Sequence, residues 1–198
     1  LDKAVKQAPR LKVIDASRGI ELLKQAGSDE PNPHVWVSVD LARRQVETIA
    51  QALAELDPGR AAQYQFKAKA YEKQLDELKK KMEEGLKDLR IREIIPFHEA
   101  FAYFARDYNL TIASVMSREP GSEPSARELA DLITLVKRRG IKVLFVEPQY
   151  PAKTAETIAR ATGASIYVLD PIVTGPLAPA AYLVIMEKNL QVLQKALK

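Results

Sequence analysis

The 198-residue chain contains no cysteine. That excludes disulfide scaffolds, Cys-ligated zinc, iron–sulfur clusters and thiol catalysis. Histidine is nearly as scarce, with two residues, His34 and His98. No apolar run approaches the roughly 20 residues that cross a bilayer. The opening Leu1-Asp2-Lys3-Ala4 carries neither the apolar stretch nor the small-residue cleavage site of a signal peptide. Neither charge dominates: 30 Lys plus Arg face 26 Asp plus Glu, a net +4, and the basic residues are scattered among acidic ones. Without a basic stripe, nucleic acid is not an expected partner. Catalytic signatures are missing as well: there is no G-x-S-x-G elbow, no P-loop and no G-x-G-x-x-G after a strand. Gly121 and Gly175 stand alone in Pro-rich loops, as turn residues do. What remains is a globular composition, 46% hydrophobic and 28% charged, long enough for one large domain or two modest ones.

Along the chain, a short helical stretch leads to an expected strand, Leu11-Lys12-Val13-Ile14-Asp15. Asp29 to Pro33 is a turn-rich break, and its prolines favour extended backbone for His34 to Ser38. Ser38 caps a helix with apolar positions Ala42, Val46, Ile49, Leu53 and Leu56, ended by Asp57-Pro58-Gly59. Tyr64, Ala68, Tyr71, Leu75, Leu78, Met82, Leu86 and Leu89 then keep helical spacing. Thirty residues of helix reach about 45 Å, so this segment is either a coiled coil or a spine. Its Lys79-Lys80-Lys81 run precedes Glu83 and Glu84, the pattern of a solvated face.

From Ile94 the pattern becomes strand–helix alternation. Strands are expected at Ile94–Phe97, Leu110–Val115, Val143–Val146 and Ile166–Leu169, with helices at Ala100–Tyr108, from Ser125 to Gly140, over Pro151–Ala161 and from about Pro179. Ser125-Ala126-Arg127-Glu128 fits a capping box. Such alternation predicts a parallel sheet covered by helices, an α/β fold. Ligands bind beyond the carboxyl ends of parallel strands. The polar residues at those ends are His98, Glu147 and Asp170. Imidazole with carboxylate suits a divalent metal, and His34, His98 and Asp170 make three donors. Each also has a plain structural role open to it, as a core histidine or a turn carboxylate. His98 with Glu99 and Asp170 could form a base and its orienter, but the sequence sets no serine nucleophile beside them.

Five segments, in order, carry a resemblance: Asn32-Pro33-His34-Val35-Trp36-Val37-Ser38, Phe97-His98-Glu99-Ala100-Phe101-Ala102-Tyr103-Phe104, Glu119-Pro120-Gly121-Ser122-Glu123-Pro124-Ser125, Phe145-Val146-Glu147-Pro148-Gln149 and Leu169-Asp170-Pro171. Together they resemble the signature segments of the zinc and manganese solute-binding proteins of ABC transporters, the ZnuA-like and TroA-like cluster once described as adhesin lipoproteins. The similarity runs from about Leu11 to the C-terminus. It implies two α/β lobes with parallel sheets joined by a long rigid helix, which divides the chain into a partial N-terminal lobe (1–57), an interlobe spine (58–92) and a C-terminal lobe (93–198). It further implies an extracytoplasmic monomer that captures a metal ion and delivers it to a membrane permease, not an enzyme.

By the same resemblance, His34, His98 and Asp170 are the metal ligands. Manganese-type members commonly carry Glu where this chain has His98, so zinc is expected, with manganese the alternative; imidazole suits zinc. Glu119, Glu123 and Glu147 are candidates either to support the ligands or to fix the loops, and loop-fixing suits each better than ligation. The family's first histidine lies upstream of Leu11, so a fourth ligand and part of the N-terminal lobe are expected to fall outside this sequence. Val39 stands in place of the family's usual Pro, and the His-rich loop of some zinc members is missing. A metal-assisted hydrolase, using an open coordination position to activate water, is the rival from another class.

Overall fold

A computed structural model describes residues 2–8, 10–117 and 123–198. After a short helix, α1 (Asp2–Gln7), the chain runs without regular structure to the 3₁₀ turn Val35–Val37. The expected strand at Leu11–Asp15 does not form. A strand exists only as part of a ladder, and none of the described residues pairs with this segment; Leu11, Val13 and Ile14 are 56, 52 and 46% exposed. In this N-terminal stretch the described pairing is a single antiparallel bridge, Lys24 to Pro31.

Helix α2 (Val39–Leu56) begins where the sequence places it, because the Ser38 hydroxyl accepts a hydrogen bond from the Leu41 amide. The same hydroxyl donates to Asp107, tying the helix start to a distant segment. Helix α3 (Ala61–Leu86) lies against α2, burying Ala68, Leu75, Leu78, Met82 and Leu86. The contact face of α2 differs from expectation. Ala42, Ala50 and Ala52 are buried, whereas Ile49, Leu53 and Leu56 are exposed. The larger side chains of its second half are turned to the open side.

The chain then forms β1 (Glu93–Ile94), α4 (Ala102–Asp107), β2 (Thr111–Ile112), α5 (Ala126–Arg139), β3 (Val143–Val146), α6 (Lys153–Thr162), β4 (Ser165–Val168) and α7 (Ala181–Leu197). β1 pairs with β2 and β3 with β4, all parallel. An Ile95–Leu144 bridge joins the two pairs, giving the spatial order β2-β1-β3-β4. The expected strands at 94–97 and 110–115 are thus shorter: Pro96 has no amide to donate, and beyond Ile94 the pairing loses its regular register, with Ile94 O accepting from Ala113 N–H but Pro96 O from Met116 N–H. All four residues of β3 are buried, as a central parallel strand covered on both faces requires.

Helix α5 carries the complete capping box, with Ser125 accepting from Glu128 N–H while the Glu128 carboxylate accepts from Ser125 N–H. Gly140 closes it in the left-handed conformation at φ 66°. Replacing Ser125 with alanine is expected to lower stability by about 1 kcal/mol, read as a shifted urea midpoint at unchanged slope. Two main clusters hold these layers: Val37, Val39, Leu75 to Leu86 of α3, Phe101, Phe104, Phe145 and Met186 form one, and Ile95, Leu144, Leu132 and Val136 of α5 and Ile158 of α6 form the other, on the opposite face of the sheet. The long helix therefore packs within its own chain, on α2 and α7, rather than into a coiled coil. Gly85 lets α7 come close, since a Cβ there would lie 2.8 Å from Leu190 Cδ1.

Candidate metal centre

The parallel sheet delivers polar residues to one rim. His98 follows β1, Glu147 follows β3 and Asp170 follows β4, each just beyond a carboxyl end. His34 comes from the other side, at the start of the Val35–Val37 turn. This turn is a correction to the extended backbone expected for residues 34–38: Val35 N–H bonds to Pro33 O and Ser38 N–H to Val35 O. Proline restricts only the residue before it, so nothing prevents the chain from coiling once past Pro33.

The two histidines meet, although 64 residues separate them. Their Nε2 atoms are 3.2 Å apart and their rings lie edge to face, with centroids at 4.9 Å. The other nitrogen of each ring is committed. His98 Nδ1 lies 2.5 Å from a carboxylate oxygen of Glu147, which is 2% exposed and also accepts from His98 N–H. His34 Nδ1 lies 2.9 Å from Asn32 Oδ1. The Asn32 amide is oriented unambiguously, because its Oδ1 accepts from His34 N–H and its Nδ2 donates to Glu99 O. Both partners of Nδ1 are therefore acceptors, so each ring carries a proton on Nδ1, and each ring in its neutral form presents the Nε2 lone pair. Two lone pairs then face each other, an arrangement that repels unless a cation lies between them.

Burial, and then the neighbouring His98 ring, push the His34 pKa down from 6.5 to about 4. The unfolded chain takes up this proton near its ordinary value, so between about pH 6.5 and pH 4 the unfolded state binds more protons than the native one. Stability of the metal-free chain should therefore fall as pH drops through that window and gain nothing from this group above it. Urea titrations at stepped pH check this, and a His34→Gln variant should show a shallower decline.

Asp170 is held differently. The Asn189 amide clamps its backbone, accepting from Asp170 N–H at 3.0 Å and donating to Asp170 O at 2.7 Å. Its carboxylate is engaged by its own loop: the amides of Ile172 and Val173 donate to one oxygen and the Thr174 hydroxyl to the other. Among the described residues, no three His, Asp or Glu side chains stand together as a set able to hold a metal. The structure thus brings His34 and His98 together and leaves the carboxylate of Asp170 turned into its turn. The loop itself is nearby, since Trp36 Nε1 donates to Pro171 O at 2.8 Å.

Of the supporting carboxylates, Glu147 is built into the site. Glu123 is not: its side chain is 75% exposed and pairs with Lys153 on the surface. Glu119 lies outside the described residues. Glu99 accepts from Ala26 N–H with both oxygens and fixes the N-terminal loop rather than orienting His98. Asn32 and Asn189 were not picked out from the sequence. For Asn32 a signal existed, an amide two residues before a histidine; for Asn189, in the middle of α7, there was none.

A chain of this architecture, with two imidazoles converging at a strand-end rim, belongs to the family described as zinc-uptake complex component A, periplasmic, whose model matches residues 1–196. That membership places the chain in a family described as periplasmic. It is 34% identical over 167 residues to the zinc-binding protein AdcA of Streptococcus pyogenes serotype M1, covering 82% of this chain and 32% of that protein. A zinc-bound ZnuA deletion mutant superposes with a TM-score of 0.85 at 36% identity, over 100% of this chain and 73% of the other. FpvC from Pseudomonas aeruginosa, solved with Mn²⁺, gives a TM-score of 0.87 at 31% identity, over 96% and 70%. The chain spans about a third of the length of AdcA.

Proposed function

We propose that this chain binds a zinc ion as the cargo of an ABC permease, with His34 and His98 as neutral imidazole donors and Asp170 as the anionic one, and that it is not an enzyme. The observation that carries this is the pair of Nε2 atoms 3.2 Å apart, each with its Nδ1 already bound to an acceptor. Two nitrogens bound to one tetrahedral zinc at about 2.0–2.1 Å are themselves about 3.3 Å apart. A histidine whose far nitrogen donates to a buried carboxylate is also the usual support of a zinc ligand. The cargo site would lie between residues 1–57 and 93–198, with residues 58–92 as the spine connecting them. The zinc-bound ZnuA structure and the zinc-binding AdcA support this choice of cargo. The Mn²⁺ complex of FpvC keeps manganese as the second candidate, but an imidazole pair favours zinc, which also stands above manganese in intrinsic affinity.

Calorimetric titration of the chain with zinc and, separately, with manganese tests the proposal. One zinc should bind per chain, at least about tenfold more tightly than manganese. Zinc held at about 100 times its dissociation constant should stabilise the fold by about 2.7 kcal/mol, and a chelator should reverse this. No saturable zinc binding, or a preference for manganese, would overturn it.

A further inference from the structure

The turn after β4 contains an unusual backbone. Ile172, a β-branched residue, has φ 61°, a conformation that side chains branched at Cβ rarely adopt and that is maintained only where surrounding contacts impose it. Those contacts are the Asp170 bonds. With Ile172 in this conformation, its amide donates to Asp170 Oδ1 at 2.8 Å, the Val173 amide lies 3.3 Å from the same oxygen, and the Thr174 hydroxyl donates to Oδ2. Meanwhile the Asn189 amide holds the Asp170 backbone at both N–H and O, so the side chain can turn while its backbone stays fixed.

We infer that Thr174 and the two amides form a latch that holds the Asp170 carboxylate away from the histidine pair, so that Thr174 is a positioning residue that weakens and thereby tunes metal capture. This rests on the proposal that Asp170 is a ligand. Because the carboxylate does not stand with the histidines in one donor set, reaching a shared ion draws it off its donors in the turn, and the strain at Ile172 is relieved when it leaves, offsetting part of the loss. The two residues therefore act on affinity in opposite directions. Removing the Thr174 hydroxyl weakens the latched state. Glycine at position 172, which adopts positive φ freely, strengthens it.

Zinc titrations of the whole chain test this. Thr174→Val should bind zinc about tenfold more tightly, the scale of one hydrogen bond to a charged group, while Thr174→Ser, which keeps the hydroxyl, should match the parent. Ile172→Gly should bind several-fold more weakly. In the parent chain, saturating zinc should speed hydrogen exchange at the Ile172 and Val173 amides, because they lose their acceptor. The ligand role is read separately from Asp170→Asn. If that substitution leaves zinc affinity unchanged, Asp170 is not a donor and the reading beneath the latch falls. If it weakens binding while Thr174→Val fails to tighten it, or if the two amides exchange no faster with zinc, the latch is wrong and the ligand stands.

Discussion

His98→Ala is expected to lower the zinc affinity of the chain by more than about 100-fold, because removing even an outer partner of a zinc ligand costs 10–100-fold and removing the ligand itself costs more. The loss has two sources. One Nε2 lone pair disappears from the pair that faces across 3.2 Å, and the remaining His34 cannot hold the ion in the same place. Glu147, 2% exposed, also loses its imidazole partner and keeps, among the described residues, the amide of residue 98 and the Gln149 side chain. A buried carboxylate stripped of a partner is destabilising, so the variant should unfold at lower urea as well. Competitive titration against a chromophoric chelator reads the affinity, and circular dichroism at the titration temperature establishes that the variant is folded. Binding within a few-fold of the parent would remove His98 from the site.

Glu147→Gln is expected to reduce zinc affinity by 10–100-fold without removing any donor to the ion. The carboxylate accepts from His98 Nδ1–H and so keeps the lone pair on Nε2. A glutamine amide can turn its NH₂ toward Nδ1 instead, which favours the tautomer with the proton on Nε2 and blocks the metal-facing nitrogen. Long-range ¹H–¹⁵N spectra of the His98 ring separate the two tautomers directly. An affinity loss with the parent tautomer retained would trace the effect to lost charge, not to ring orientation. No loss at all would show that Glu147 serves the fold alone.

Local signals were legible in the sequence where the structure depends on near neighbours. The Ser125 capping box, the Gly140 helix end and the Ser38 cap are each settled within a few residues of chain. The segment 11–15 has the composition of a strand but no partner among the described residues, and partnership is not a local property. The α2 stripe shows the same limit: spacing located an apolar face, yet Ile49, Leu53 and Leu56 on it are exposed, because what covers a helix face is set by elements distant in sequence. At the site, the strand-end rule brought out His98, Glu147 and Asp170, and the resemblance pointed to His34. It could not reveal that His34 and His98 meet with their lone pairs opposed, because that depends on Asn32 and Glu147 setting both tautomers. Nor could it show the Asp170 carboxylate bonded to Thr174, a contact of four residues' separation that competes with any longer-range role.

Trp36 is the one tryptophan in the chain, and its indole stands between two parts of the candidate centre. Its ring lies 5.4 Å from that of His34, its Nε1–H donates to Pro171 O in the turn that holds Asp170, and its own carbonyl accepts from Tyr182. The chain thus carries a single tryptophan, selectively excitable over its seven tyrosines, in contact with both His34 and the turn that holds Asp170. Its emission should respond to cargo arrival and to a swing of the 170–174 turn, allowing stopped-flow measurement of capture and release without an attached dye.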